Sequence, residues 1–150
     1  MKKHLSIFAL LMVLFSPVFG QEKFDEALAK KYEADDYGMR KYVMAFLKRG
    51  PKVEQYSDEE RAKIQEGHMA HIGKMAEDKT LVLAGPFFGK GDLRGIFIFD
   101  LETIEEAEKL TAEDPAIKAG VLQMELLEWY GSAAVMAIPE IHEKIQKIDY

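Results

Sequence analysis

His68 and His71 stand three residues apart in a stretch, Asp58 to Glu77, whose spacing predicts an amphipathic helix. At about 100° per residue, Ile64, His68, His71, Ile72 and Met75 fall within one sector of roughly 100°. Lys63, Glu66, Ala70, Gly73, Lys74 and Glu77 fall opposite. Both imidazoles are therefore expected to face the core. A buried polar group left without a partner costs about 1–3 kcal/mol, so a carboxylate, a carbonyl, a ligand or a metal must answer these rings. An imidazole that faces a carboxylate is an acid–base unit, because the acid fixes the ring's tautomer and stabilises its protonated form. A nucleophile of the usual kind is missing: the chain has no cysteine and no Gly-x-Ser-x-Gly turn. Proton transfer, isomerisation or elimination suits these residues better than acyl transfer.

The elements that must position the rings can be read on either side. Ser57 and Glu60 form a capping box that opens the histidine helix, with Asp58 and Glu59 in the first turn where the helix dipole favours anions. Before it, Lys23 to Asp35 reads as a polar helical arm that docks on something. Tyr42 to Leu47 reads as a strand closed by Gly50-Pro51. After it come a strand from Thr80 to Ala84, closed by Gly85-Pro86, and a glycine-rich loop from Phe87 to Leu93. A third strand runs from Gly95 to Phe99. Thr103 and Glu106 cap a second helix, which Asp114-Pro115 is expected to end because a residue before proline leaves the α region. Leu122 to Trp129 reads as a fourth strand and Ile138 to Ile148 as a short terminal helix. The order β-α-β-β-α-β is the ferredoxin-like split βαβ pattern, an α+β fold with one antiparallel sheet. Both helices cover one face of that sheet. The other face should alternate with polar residues if it met water, yet Val43 to Leu47 and Ile96 to Phe99 are apolar without a break. Its expected cover is the same face of a second copy, a homodimer enclosing a barrel-like core; the arm or the tail covering it in cis is the alternative.

The 150 residues suffice for one domain of ordinary size. Residues 1–20 have the plan of a secretory signal peptide: Lys2 and Lys3, an apolar run from Leu5 to Phe15, a Ser16-Pro17 break, and small Val18 and Gly20 before Gln21. The run is too short to span a bilayer, which takes about 20 residues. The mature protein is therefore expected to be exported, periplasmic or secreted, with no stable membrane insertion. Its removal would take the formal charge from −6 to −8, which argues against nucleic acid and against anionic lipid.

The run His68-Met69-Ala70-His71, then Ala84-Gly85-Pro86, Asp114-Pro115 and Lys118-Ala119-Gly120 resembles the YciI-like (YCII-related) family over about residues 42–130. His68 stands eighteen residues before Pro86, as the family's histidine does before the proline of its Ala-Gly-Pro. The resemblance implies a dimeric α+β barrel and a pocket in which His68 pairs with Asp114. It also implies relatives of mostly unassigned role, a few of them dehydrochlorinase-like enzymes acting on ring compounds. The division expected is a signal peptide at 1–20, a helical arm at 21–40, the YciI-like domain at 41–130 and a tail at 131–150. His68 and Asp114 are the candidate catalytic pair. His71, Gly85, Pro86 and Arg94 are candidate substrate-binding residues, with Phe87 and Phe88 read as aromatic core and Trp129-Tyr130 as a plug for the dimer interface. His68, His71 and Asp114 could in principle share a metal, but His-x-x-His lacks the recognised ligand arrangement that zinc normally takes, and neither metal nor cofactor is expected. The functional expectation is a small-molecule enzyme, lyase- or isomerase-like. The alternative is a non-catalytic ligand-binding or assembly module.

Overall fold

A computed structural model describes residues 24–148; the expected signal peptide lies outside the described residues. The elements are α1 (Glu26–Lys31), β1 (Met39–Arg49), α2 (Asp58–Glu77), β2 (Leu81–Pro86), β3 (Leu93–Phe99), α3 (Ile104–Thr111), α4 (Pro115–Lys118), β4 (Leu122–Ser132) and α5 (Ile138–Ile145). The four strands form one sheet in the order β2-β3-β1-β4, and every neighbouring pair is antiparallel. β1 and β2 thus run parallel with β3 between them. This is the ferredoxin-like βαββαβ plan expected from the sequence.

Strand alternation sorts the side chains. Val43, Ala45 and Leu47 of β1 stand opposite Phe99, Phe97 and Gly95 of β3 and point to the helices. Together with Met75 of α2, Leu81 of β2 and Ala107 of α3 they make the buried core, and Leu122, Met124 and Leu126 of β4 pack against it. Both capping boxes are present, so Ser57 and Thr103 fix where α2 and α3 begin.

Three expectations need correcting. Asp114-Pro115 does not end α3, which stops at Thr111 with Ala112 as its cap. Asp114 takes the extended backbone that a residue before proline requires, at φ −64° and ψ 125°, and so becomes the N-cap of α4. β2 does not close at Ala84 but continues through Gly85 to Pro86, at the end of the strand where a missing N–H is tolerated. Phe87 and Phe88 are not core: they are 47% and 98% exposed in the loop before β3.

The face away from α2 and α3 is shared between two covers. The stretch Ala133–Ala137 packs on β1, and α5 packs on β2. At that end Tyr42, Val82 and Ile98 are buried. Trp129 lies against the Tyr42 ring at 5.4 Å and closes over Gly131, where a Cβ would fall 2.3 Å from the indole. The Tyr42 hydroxyl donates to the Ser132 carbonyl at 2.9 Å, and burial holds its pKa above the usual phenol range. The chain's own tail therefore takes part of the face expected for a second copy. Met44, Phe46, Leu83 and Ile96 are only half-buried there, and Leu127 is 45% exposed.

The arm and the tail hold each other. Lys31 of α1 reaches Glu140 of α5 at 2.6 Å, and Lys144 reaches the same carboxylate at 3.0 Å. Hydrogen bonds from these two lysines lower the Glu140 pKa from 4.5 to about 2. A carboxylate depressed in the folded state stabilises it above the unfolded pKa and loses that contribution as pH falls through the folded one. Protection of the α1 amides in hydrogen exchange should therefore weaken between pH 4.5 and about 2, while the amides of β1 and β3 stay protected. Glu140→Gln should produce the same local loosening at neutral pH.

Candidate functional site

The His68 ring is placed by the phase of α2. The Ser57–Glu60 box sets the start of the helix, with Ser57 N–H donating to Glu60 at 2.8 Å and Glu60 N–H donating to Ser57 Oγ at 3.3 Å. Arg61, one turn on, donates to the carbonyls of Tyr56 at 2.6 Å and Val53 at 3.4 Å. From that start the inward stripe runs Ile64, His68, His71, Ile72, Met75, as the spacing predicts. His68 is 6% exposed and lies flat over Phe97, with ring centroids 6.1 Å apart and planes 21° apart.

The partner comes from α4. His68 Nδ1 lies 2.7 Å from Asp114 Oδ2, and Ala116 N–H donates to Asp114 Oδ1 at 2.7 Å. Asp114 is 0% exposed. Each of its oxygens thus accepts a hydrogen bond, one from the start of its own helix and one from the imidazole. An ionised carboxylate only accepts, so Nδ1 carries a proton, and in the ring's neutral form the lone pair is on Nε2. His68 Nε2 makes no hydrogen bond among the described residues.

The geometry of α4 is held at both ends. Asp114 caps its start. Gly120, at φ +70°, closes its other end in a Schellman turn, with Gly120 N–H donating to Ile117 and Val121 N–H to Ala116. Gly50 then approaches so closely that a Cβ there would fall 2.2 Å from the Gly120 carbonyl oxygen. The exits of β1 and α4 are locked together, with Gly50 N–H donating to Val121 and Lys52 N–H to Gly120. The Lys118-Ala119-Gly120 run of the sequence is this turn.

The other candidates divide. His71 Nε2 donates to the Leu110 carbonyl at 3.1 Å. Both rings are therefore answered by one short stretch, Leu110 at the end of α3 and Asp114 before α4, one by a carbonyl and one by a carboxylate. His71 also lines a groove of about 640 Å³ between α2 and α3, with Lys74, Met75, Leu101, Lys109, Leu110 and Glu113. A larger hollow of about 720 Å³ lies at Glu33, Arg40 and the start of α3, and none of the candidate residues lines it. Pro86 is registered with Gly95, two residues along β2 from Ala84, the partner of Phe97. Gly85 is registered with Ile96, of opposite parity to Phe97. Arg94 sits where the β1–β3 register shifts, and its guanidinium donates to the Gly89 carbonyl at 3.5 Å. Among the described residues no hydrogen bond joins Arg94 to the pair. Gly85 itself has open space; the close approach belongs to Gly95, whose added Cβ would fall 2.7 Å from the Gly85 carbonyl. Phe97, the platform for His68, went unnoticed in an apolar run that marks no single member. Among the described residues no three His, Asp or Glu side chains gather as a metal-ligating group.

A ferredoxin-like sheet with an imidazole–carboxylate pair between its helices defines the class of domain. The family model of the YCII-related domain matches residues 41–130, and the chain belongs to that family. Among solved structures it is similar to 5-chloro-2-hydroxyhydroquinone dehydrochlorinase from Burkholderia phenoliruptrix AC1100 in complex with 2,5-dihydroxybenzoquinone. The two are 19% identical with a TM-score of 0.44, over 60% of this chain and 93% of that one. No protein of curated function matches the sequence.

Substitutions at Asp114 separate its two jobs. Asn caps a helix about as well as Asp, so Asp114→Asn should keep α4 but present an NH2 group to Nδ1. The His68 proton should then move to Nε2, visible in long-range ¹H–¹⁵N spectra, at a stability cost of about 1 kcal/mol. Asp114→Ala removes cap and partner together and should cost about 2–4 kcal/mol in urea denaturation.

Proposed function

We propose that this chain is an exported small-molecule enzyme of the YCII-related kind in which His68, oriented by Asp114, moves a proton on a bound organic acid or ring compound. One observation carries the reading: a ring whose Nδ1–H is committed to a fully buried carboxylate has no hydrogen-bond partner on Nε2 among the described residues. In that arrangement Nε2 accepts a proton from substrate. The imidazolium so formed is stabilised by Asp114, and the proton is returned at another atom or lost with a leaving group. The outcome is isomerisation or elimination, a lyase- or isomerase-like reaction.

The half-buried strip of Met44, Phe46, Leu83, Ile96 and Leu127 supports a homodimer through what the tail leaves bare. Sedimentation velocity at micromolar concentration should show a dimer, and Phe46→Glu should convert it to a monomer. The leader at 1–20 supports a periplasmic or secreted protein whose first residue is Gln21. No helix among the described residues is long and apolar enough to cross a membrane.

A thermal-shift screen of small organic acids, phenols and lactones asks for the substrate directly. For a compound that is turned over, His68→Asn should lower kcat by roughly 10²–10⁴-fold, the range general acid–base groups supply. Unchanged turnover in that variant would remove His68 from the chemistry.

A further inference from the structure

Two glycines interrupt α2, Gly67 and Gly73, although glycine is among the poorest residues for a helix interior. Their surroundings differ. A Cβ on Gly73 would meet nothing within 4 Å. A Cβ on Gly67 would fall 2.9 Å from Cγ and 3.2 Å from Cβ of Pro115. Gly67 directly precedes His68, and Pro115 directly follows Asp114. The two helices therefore come into contact next to the hydrogen-bonded pair on both segments.

We propose that Gly67 is a positioning residue: its bare Cα leaves room for the Pro115 ring against α2, and without that room Asp114 could not come close enough to hold His68. The pyrrolidine ring cannot swing away, because it is closed onto the backbone and φ is fixed. α4 cannot slide along its axis either, because the Gly120 turn is locked against Gly50. A methyl group on Gly67 must push the first turn of α4 outward, and Asp114 moves with it. A hydrogen bond of 2.7 Å between Nδ1 and Oδ2 is lost by such a shift, since its strength falls steeply with length and misalignment. Gly73 has no such neighbour and serves as the internal control.

This inference rests on the reading of His68 as the working base, but its readout is spectroscopic and independent of turnover. The test compares the whole chain with Gly73→Ala, Gly67→Ala, Pro115→Ala and the double variant Gly67→Ala/Pro115→Ala. The His68 ring is followed in long-range ¹H–¹⁵N spectra. Wild type, Gly73→Ala and Pro115→Ala should keep the Nδ1-protonated ring with its hydrogen-bonded proton. Gly67→Ala should lose that signal, and the double variant should regain it. A Gly67→Ala protein that keeps the signal as Gly73→Ala does would overturn the proposal. Should Gly67→Ala fail to fold, the double variant decides: a folded protein with the signal supports the contact, and an unfolded one or one without the signal refutes it. If His68→Asn left turnover intact, the catalytic reading would fall while these spectra still judged Gly67.

Discussion

A carboxylate with no access to water must take hydrogen bonds from the protein on both oxygens, and the arrangement around Asp114 follows from that constraint. Left unanswered, an ionised acid at 0% exposure would cost far more than a single neutral hydrogen bond returns. The chain meets the demand with one donor from each side. The Ala116 amide is supplied locally, because Pro115 forces Asp114 into an extended backbone and starts a helix immediately after it. The second donor is the His68 ring, 46 residues earlier in the chain, so it depends on the whole βαββαβ arrangement. One residue thus couples a local turn to the global fold.

That coupling explains why so many glycines and prolines gather near the site. Gly50 and Gly120 let the ends of β1 and α4 touch, and Gly95 lets β3 close on the Gly85 carbonyl. At Gly50 and Gly95 a Cβ would strike backbone, which cannot rotate out of the way, while at Gly120 the left-handed φ is what requires glycine. The consequence is a platform, Phe97, and a partner, Asp114, fixed to different parts of the sheet and its connections, with the imidazole held between them.

The inward stripe of α2 was legible because its residues repeat at the helical period and its start is marked by a capping box. The strand order was legible from short unbroken apolar runs and Gly-Pro punctuation. The His68–Asp114 pairing was reached through the family resemblance; periodicity alone left a carboxylate, carbonyl, ligand or metal open. What could not be read depends on contacts distant in sequence. The same proline that reads as a stop for α3 is the start of α4, since excluding the α region from Asp114 permits either outcome and only packing against α2 selects one. Gly85 drew attention as half of a Gly-Pro step, while the sterically committed glycine is Gly95, whose reason lies on a neighbouring strand. The cover on the open face was likewise hidden: an apolar face says that something must bury it, and the tail from Ala133 onward buries only part.

The two histidines show how little of a site lies in residue type. Both lie on the inward stripe and both bond to the stretch between Leu110 and Asp114. His71 spends Nε2 on a carbonyl, which can only accept, and so that nitrogen is fixed as a donor. His68 spends Nδ1 on a carboxylate, which fixes the opposite tautomer and also strengthens the bond as the ring gains charge. Stability alone gives a weak reason for burying such a pair, because well-packed apolar residues of the same volume often serve as well or better. An Nε2 without a hydrogen-bond partner among the described residues, on a ring stacked over Phe97, is a feature that fold stability does not require and that the proposed proton transfer would use. The asymmetry between His68 and His71 therefore comes from the partner each meets, and it is the partner that separates a basic nitrogen from a structural tie.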